Sequence, residues 1–284
     1  MSSTSSIPEN APSKRPSPAR WTYAVLIVAL LFVLMPFLFW RATWFGRPFT
    51  DDQLQKALAD SSHPREIQHA LSQIADRILR GDPTVSRWYP DVVRLSSHRA
   101  EEIRLTAAWV MGQDNSVPEF HQALLRLLND PQPMVRRNAA LSLVRYNDSS
   151  GHATILAMLE PYSLPAPDAG VIKQRLKTGD VVNAGTLVGY VWVNREKNEI
   201  RTTVPGTIAQ WTIPDGASAA AGQGILLISP SDEMIWEALR ALYIVGQPED
   251  LPAVDRCTHG SDSPRIQQQA LETARAIRSR SPQS

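Results

Sequence analysis

Gly170-Val171-Ile172-Lys173-Gln174 recurs 36 residues later as Gly206-Thr207-Ile208-Ala209-Gln210. Thr178-Gly179 recurs as Asp215-Gly216, Ala184-Gly185 as Ala221-Gly222, and Val188-Gly189-Tyr190-Val191 as Ile225-Leu226-Leu227-Ile228, all at an offset of 37. One single-residue insertion therefore separates two copies of one motif. Within each copy, short β-rich runs are divided by Gly, Asp and Asn turn signals, the pattern of a small all-β unit. Two such halves stacked face to face are expected to bury Val171, Ile172, Val181, Leu187, Val191, Ile208, Ile213, Ile225 and Leu227.

The duplicated stretch, with Lys197-Asn198-Glu199-Ile200-Arg201 followed by Gly206-Thr207-Ile208, resembles the biotinyl/lipoyl attachment domain. The resemblance implies a flattened β-barrel over 165–230, with a modified lysine at a hairpin tip. Counting back from the isoleucine and from the glycine, that position falls on Arg195, and Thr202-Thr203 stands where the family has Ala-Pro. An arginine stays protonated and cannot accept an acyl group. Lys197, two residues away, is the nearest substitute. The expectation is a module that keeps the family's shape and carries no prosthetic group, with an acyl or biotin carrier using Lys197 as the alternative.

Outward from the β unit the pattern becomes helical and repetitive on both sides. Ile103-Arg104-Leu105-Thr106-Ala107-Ala108-Trp109-Val110-Met111 matches Val135-Arg136-Arg137-Asn138-Ala139-Ala140-Leu141-Ser142-Leu143 at an offset of 32. The same offset carries Trp88, Val92 and Leu95 onto Phe120, Leu124 and Leu127, and Ala238-Leu239 and Leu242 onto Ala270-Leu271 and Ala274. Apolar residues at helical spacing, with Ala pairs where helices approach closely, make each unit two short amphipathic helices. Pro131 ends one unit's helix at Asn129-Asp130-Pro131. A helix over Pro64 to Leu79 reads as a degenerate first unit. The Val-Arg-x-x-Ala-Ala core resembles HEAT-type repeats, which implies a short α-solenoid over 50–162, resumed over 232–280. One unit cannot bury its own apolar face, so several stack. In such repeats the arginine usually pairs with a turn aspartate, which makes Asp130 the candidate partner. Protein docking is expected on an exposed, partly apolar strip around Trp88 and Phe120, with Arg104 and Arg136 as further contacts.

Toward the N-terminus, residues 1–20 are Ser/Pro-rich and read as a disordered tail. No charge occurs over 21–40, and Trp21, Tyr23, Trp40 and Trp44 bracket the run. This reads as an uncleaved, single-pass transmembrane helix in an inner or plasma membrane. Cations tie on the two sides, and the short tail with Lys14, Arg15 and Arg20 favours a cytoplasmic N-terminus with the globular part periplasmic or extracytoplasmic. The fold class expected for the 284 residues is thus α+β multidomain: an anchor, a HEAT-like solenoid and a lipoyl-like barrel flanked by further helices.

The net charge of +1 gives no support for nucleic-acid binding. Cys257 is the single cysteine, and the histidines at 63, 69, 98, 121, 152 and 259 are scattered, so neither a disulfide framework nor a metal cage is indicated. Phosphate loops and nucleophile elbows are absent from the sequence. Asp51-Asp52 and Glu101-Glu102 read as helix-start residues, and Trp109, Trp192, Trp211 and Trp236 as packing. The function expected is a membrane-anchored, non-enzymatic adaptor holding a protein partner, such as a membrane complex, without a cofactor. A membrane-fusion-type transport adaptor is the other alternative, although only Asn194 to Glu199 links the strands where that class inserts a long helical hairpin.

Overall fold

The computed structural model describes residues 18–44, 48–60, 62–260 and 263–280, so the tail expected over 1–20 lies largely outside it. The chain divides into two units, Met1–Thr50 and Asp51–Ser284. In the first, α1 runs Pro18–Trp44. The expected transmembrane anchor is corrected: among the described residues, no helix is long and apolar enough to cross a membrane. The single-pass topology, the cytoplasmic N-terminus, the periplasmic placement and the bilayer as a partner all rested on that span and are withdrawn with it.

The second unit begins with α2 (Asp51–Ala59), α3 (Pro64–Leu79), a 3-10 turn (Val85–Trp88), α4 (Tyr89–Leu95), α5 (Glu101–Met111), α6 (Pro118–Leu127), α7 (Pro133–Val144) and α8 (His152–Ala157). After a β segment, α9 (Asp232–Val245), a 3-10 turn (Pro248–Asp250), α10 (Leu251–Gly260) and α11 (Pro264–Arg280) follow. Proline opens α3, α6, α7 and α11, where its missing N–H costs nothing and its fixed φ suits the first turn. Acidic residues open α2, α5 and α9 and complement the helix dipole. The 32-residue offset reappears in the helix starts, Glu101 against Pro133 and Asp232 against Pro264.

Helices α3, α5, α7, α9 and α11 form an inner row. Polar side chains link α3 to α5, α7 to α5 and α11 to α9: Gln68 Nε2 donates to Glu102 O, Ser142 Oγ donates to Ala108 O at 2.9 Å, and Thr273 Oγ1 donates to Leu239 O at 2.9 Å. Arg145 reaches Gln113 and Arg280 reaches the carbonyl of Tyr243. These links join residues 32 to 38 apart from one end of a helix to the other, so α5 runs parallel to α7 and α9 to α11.

The β segment does not interrupt the helical core. Ala140 and Val144 of α7 and Ile155 and Met158 around α8 share one apolar cluster with Met234, Ala238, Leu239 and Leu242 of α9 and with Ile266, Ala270 and Ala274 of α11. A repeated polar contact tells the same story. Tyr89 donates to Asp114, His121 meets Asp148, and His152 meets Asp250, each outer-helix start touching the aspartate of the turn after the next inner helix. The first two pairs are 25 and 27 residues apart and the third 98. With the 70 residues from 162 to 231 set aside, that last separation becomes 28.

Eight strands make up the β segment: β1 (Tyr162–Pro165), β2 (Gly170–Gln174), β3 (Val181–Val182), β4 (Leu187–Val193), β5 (Glu196–Arg201), β6 (Gly206–Trp211), β7 (Ser218–Ala219) and β8 (Gly224–Ser229). They form two four-stranded sheets, β1-β8-β6-β3 and β5-β4-β2-β7. The closed barrel expected from sequence is corrected, because β3 and β7 are two residues long and carry no ladder from one sheet to the other. The two orders correspond strand for strand. Moreover, β3 of the first copy pairs with β6 of the second, and β7 of the second with β2 of the first. The glycines that open β2 and β6 have a shared reason. A Cβ on Gly170 would lie 2.3 Å from Trp192 O, and one on Gly206 2.1 Å from Ser229 O.

The core differs in phase from the expected one. Ile172, Val191, Ile208 and Ile225 are buried, but Val181 is 78% exposed while Val182 beside it is buried, and Val188 and Ile228 are buried rather than Leu187 and Leu227. The extra residue at Val188 in β4, between the pairs of Leu187 and Gly189, and the one at Ile225 in β8, skipped between the partners of Leu164 and Pro165, explain the last two. A bulge moves every following side chain to the other face.

Candidate functional site

Two of the four expected docking residues, Trp88 and Phe120, are buried rather than on the surface. Trp88 is 1% exposed and Phe120 0%, so the exposed strip expected around them is absent. Trp88 has the guanidinium carbons of Arg77 and Arg87 at 4.7 and 4.0 Å from its ring centre, and Phe120 packs on Tyr89 at 4.7 Å between ring centres. Arg104 makes a two-pronged contact with Asp130, Nε to Oδ2 at 2.6 Å and Nη2 to Oδ1 at 2.9 Å, and also donates to the carbonyls of His98 and Arg99. Burial alone would push the Asp130 carboxyl up. The Arg104 guanidinium, the Gln132 N–H and the Arg136 charge outweigh that and hold it below the ordinary carboxylate value. Arg136 donates to Asp130 O at 2.6 Å and Pro131 O at 2.9 Å, so it braces the same turn.

At the far end of the β unit, Val193 and Glu196 form the last pair of the β4–β5 hairpin, with Asn194 and Arg195 as its two-residue tip. Both tip residues have positive φ, 48° and 73°, the conformation that matches strand twist in a tight hairpin. Lys197 stands inside β5, opposite Trp192, with its Nζ 3.6 Å from the centre of the Tyr190 ring. The copies themselves are joined by residues 202–205, too few for an inserted helical hairpin.

A groove of about 1040 Å³ with both apolar and charged walls crosses α7, α9 and α11. Leu141 comes from the last turn of α7 and Arg145 caps it, and Tyr243 and Ile244 come from the last turn of α9. Glu237, Glu272 and Arg275 stand on its rim. Tyr243 and Ile244 are 48% and 49% exposed. Burial, and then the neighbouring Glu233 carboxylate, push Glu237 above its ordinary value. Trp109, 41% exposed on α5, is the repeat equivalent of Leu141. The signal for this groove lay in Leu242-Tyr243-Ile244-Val245, four consecutive apolar residues. One buried face uses Leu242, and the run is too wide for a single-faced helix.

A family model described as HEAT repeats matches residues 92–163. The match spans α5, α6, α7 and α8 and takes in the α7 wall of the groove. No curated protein matches the chain. HEAT repeats point to a protein-interaction scaffold, and they are generally non-catalytic.

Proposed function

We propose that the chain is a non-enzymatic scaffold that holds a protein partner in the groove across α7, α9 and α11. The observation that carries this reading is the groove itself: apolar Tyr243 and Ile244 left half-exposed beside a shared helical core. Scattered exposed apolar residues need no explanation, but adjacent ones walling an open groove mark an interaction surface. We read 165–230 as a biotinyl/lipoyl-like module set into the helical array, serving by shape. Its support is the internal correspondence of the two sheets, and the arginine at the hairpin tip where the family would hold a lysine.

A photo-crosslinking residue introduced at Ile244 or Ala276 should capture one discrete protein, identifiable by mass spectrometry, that the same residue at Arg126 on α6 does not capture. Equal labelling from both faces, or none from the groove, overturns the reading.

A further inference from the structure

We infer that Arg137, at the seam between α7 and the β unit, is a receptor for a carboxylate supplied from outside the chain; this site is independent of the groove. Three charged side chains are buried among the described residues: Asp130, Arg137 and Asp250, at 8%, 7% and 2% exposure. Asp130 is gripped by Arg104, and Asp250 meets His152. Arg137 meets no acid. Its one side-chain contact runs from Nη1 to the thioether sulfur of Met134, 3.7 Å away and one turn earlier on the same helix. Burial disfavours its charged form, and the ionisable groups that act on it are Tyr162 and the like-charged Arg136, with no carboxylate among them.

At the 32-residue offset Arg137 aligns with Leu105 of α5, so the repeat carries an apolar residue here in one copy and a cation in the other. The cationic copy is the one beside the β unit: Met134 and Tyr162 both pack against the apolar cluster of the sheets. An arginine stays protonated, and a buried ion without a counter-charge is costly. An anion from outside would offset that cost. The free edge of the guanidinium selects the anion. Nε and Nη2 make no hydrogen bond, and neither is sealed off, since the enclosed polar atoms without a partner among the described residues are His98 Nε2 and Thr203 Oγ1. This is the same edge with which Arg104 holds Asp130, Nε to one oxygen and Nη2 to the other. A planar carboxylate fits that fork with two parallel bonds. One cation in an otherwise apolar seat balances one negative charge, whereas a dianion would leave a second charge buried and unpaired.

The test uses the full chain. The Arg137 Nε–H signal in a proton–nitrogen spectrum is identified by its loss in Arg137→Met. Sodium acetate, exchanged for sodium chloride at constant ionic strength, should shift that signal saturably, in roughly the millimolar range. At about ten times the half-saturating acetate concentration the thermal midpoint should rise by about 3 °C. Arg137→Met should lose this rise. In chloride alone it should unfold at or above the parent's midpoint, because an uncompensated charge has been removed. Arg137→Lys keeps the charge without the fork and should lose most of the rise.

Two further probes separate the sources of the carboxylate. N-acetylglutamic acid α-amide presents a side-chain carboxylate, and N-acetyldiglycine a chain-terminal one. Half-saturation below that of acetate by either one supports a site for a protein side chain or a chain end; tighter binding by acetate supports a site for a free small acid. No shift with any of the three, an equal rise in Arg137→Met, or a larger rise with inorganic phosphate than with acetate overturns the inference. So does an Arg137→Met chain less stable than the parent in chloride, since the guanidinium is then already satisfied within the fold.

Discussion

His152 Nε2 lies 2.8 Å from Asp250 Oδ2, across 98 residues of chain and the whole β unit. The Asp250 side chain is 1% exposed, and Asp250 also accepts the Gln247 N–H that starts its own 3-10 turn. The pair binds the last helix before the β unit to the turn after the first helix beyond it. Removing either partner strands a buried polar group, so His152→Ala or Asp250→Ala should cost about 2 kcal/mol in chemical denaturation. Tyr162 and Ile228 are paired neighbours at the root of the β unit, only about 5 Å apart between Cα atoms. Replacing 162–231 by a Gly-Ser-Gly link should therefore leave a helical protein that still unfolds cooperatively by circular dichroism. A non-cooperative product would refute the continuity of the helical core.

The Arg104–Asp130 contact sets a pH dependence. Asp130 is held below its ordinary value in the fold, so on acidification the unfolded chain takes up this proton first. Its contribution to stability is complete above about pH 4, the unperturbed aspartate value, and is lost as pH falls through the lower folded value. Asp130→Asn should flatten that part of the stability–pH curve. Arg104→Ala, which leaves a 5%-exposed carboxylate side chain without its partner, should cost about 3 kcal/mol at pH 7.

Alanine at Gly170 or Gly206 should be costly for the same reason at both sites, since each methyl would meet a carbonyl of the opposing strand. Each substitution should destabilise by at least about 2 kcal/mol, the scale of core overpacking, while Gly179→Ala meets no atom and is opposed only by its positive φ. Thermal unfolding of the three variants would rank them Gly206, Gly170, Gly179 in falling severity.

At the hairpin tip, Arg195 holds a φ of 73°, a region glycine occupies freely and side-chain-bearing residues do not. Arg195→Gly should raise stability by about 1 kcal/mol. Intact mass should match the unmodified polypeptide in the parent and, with only the Lys-to-Arg difference added, in Lys197→Arg. Any added acyl or biotin mass lost on that substitution would overturn the reading of an unmodified module.

Much of the helical framework was legible. The Pro64–Leu79 helix was expected with those bounds, and the 32-residue offset is the spacing of α5 to α7 and of α9 to α11. Both depend on short-range periodicity, which one chain displays. The β core was legible in kind but slipped in phase, at Val188 and Ile228 because bulges are set by pairing between strands distant in sequence, and at Val182 because a two-residue strand shows no alternation to read. Trp88 and Phe120 were misjudged because size and aromaticity do not reveal which side of a repeat faces its neighbour. The groove escaped notice because its walls lie far apart in the chain, with Leu141 and Ile244 separated by the β unit. The span over 21–40 was judged on apolarity, and among the described residues no helix is long and apolar enough to cross a membrane.

The two halves of the β unit each lend their shortest strand to the other's sheet. A break anywhere in 202–205 would leave two fragments with a missing edge apiece, so neither can mature before the other has been synthesised. Both sheets of the module are therefore completed only once β8 has left the ribosome.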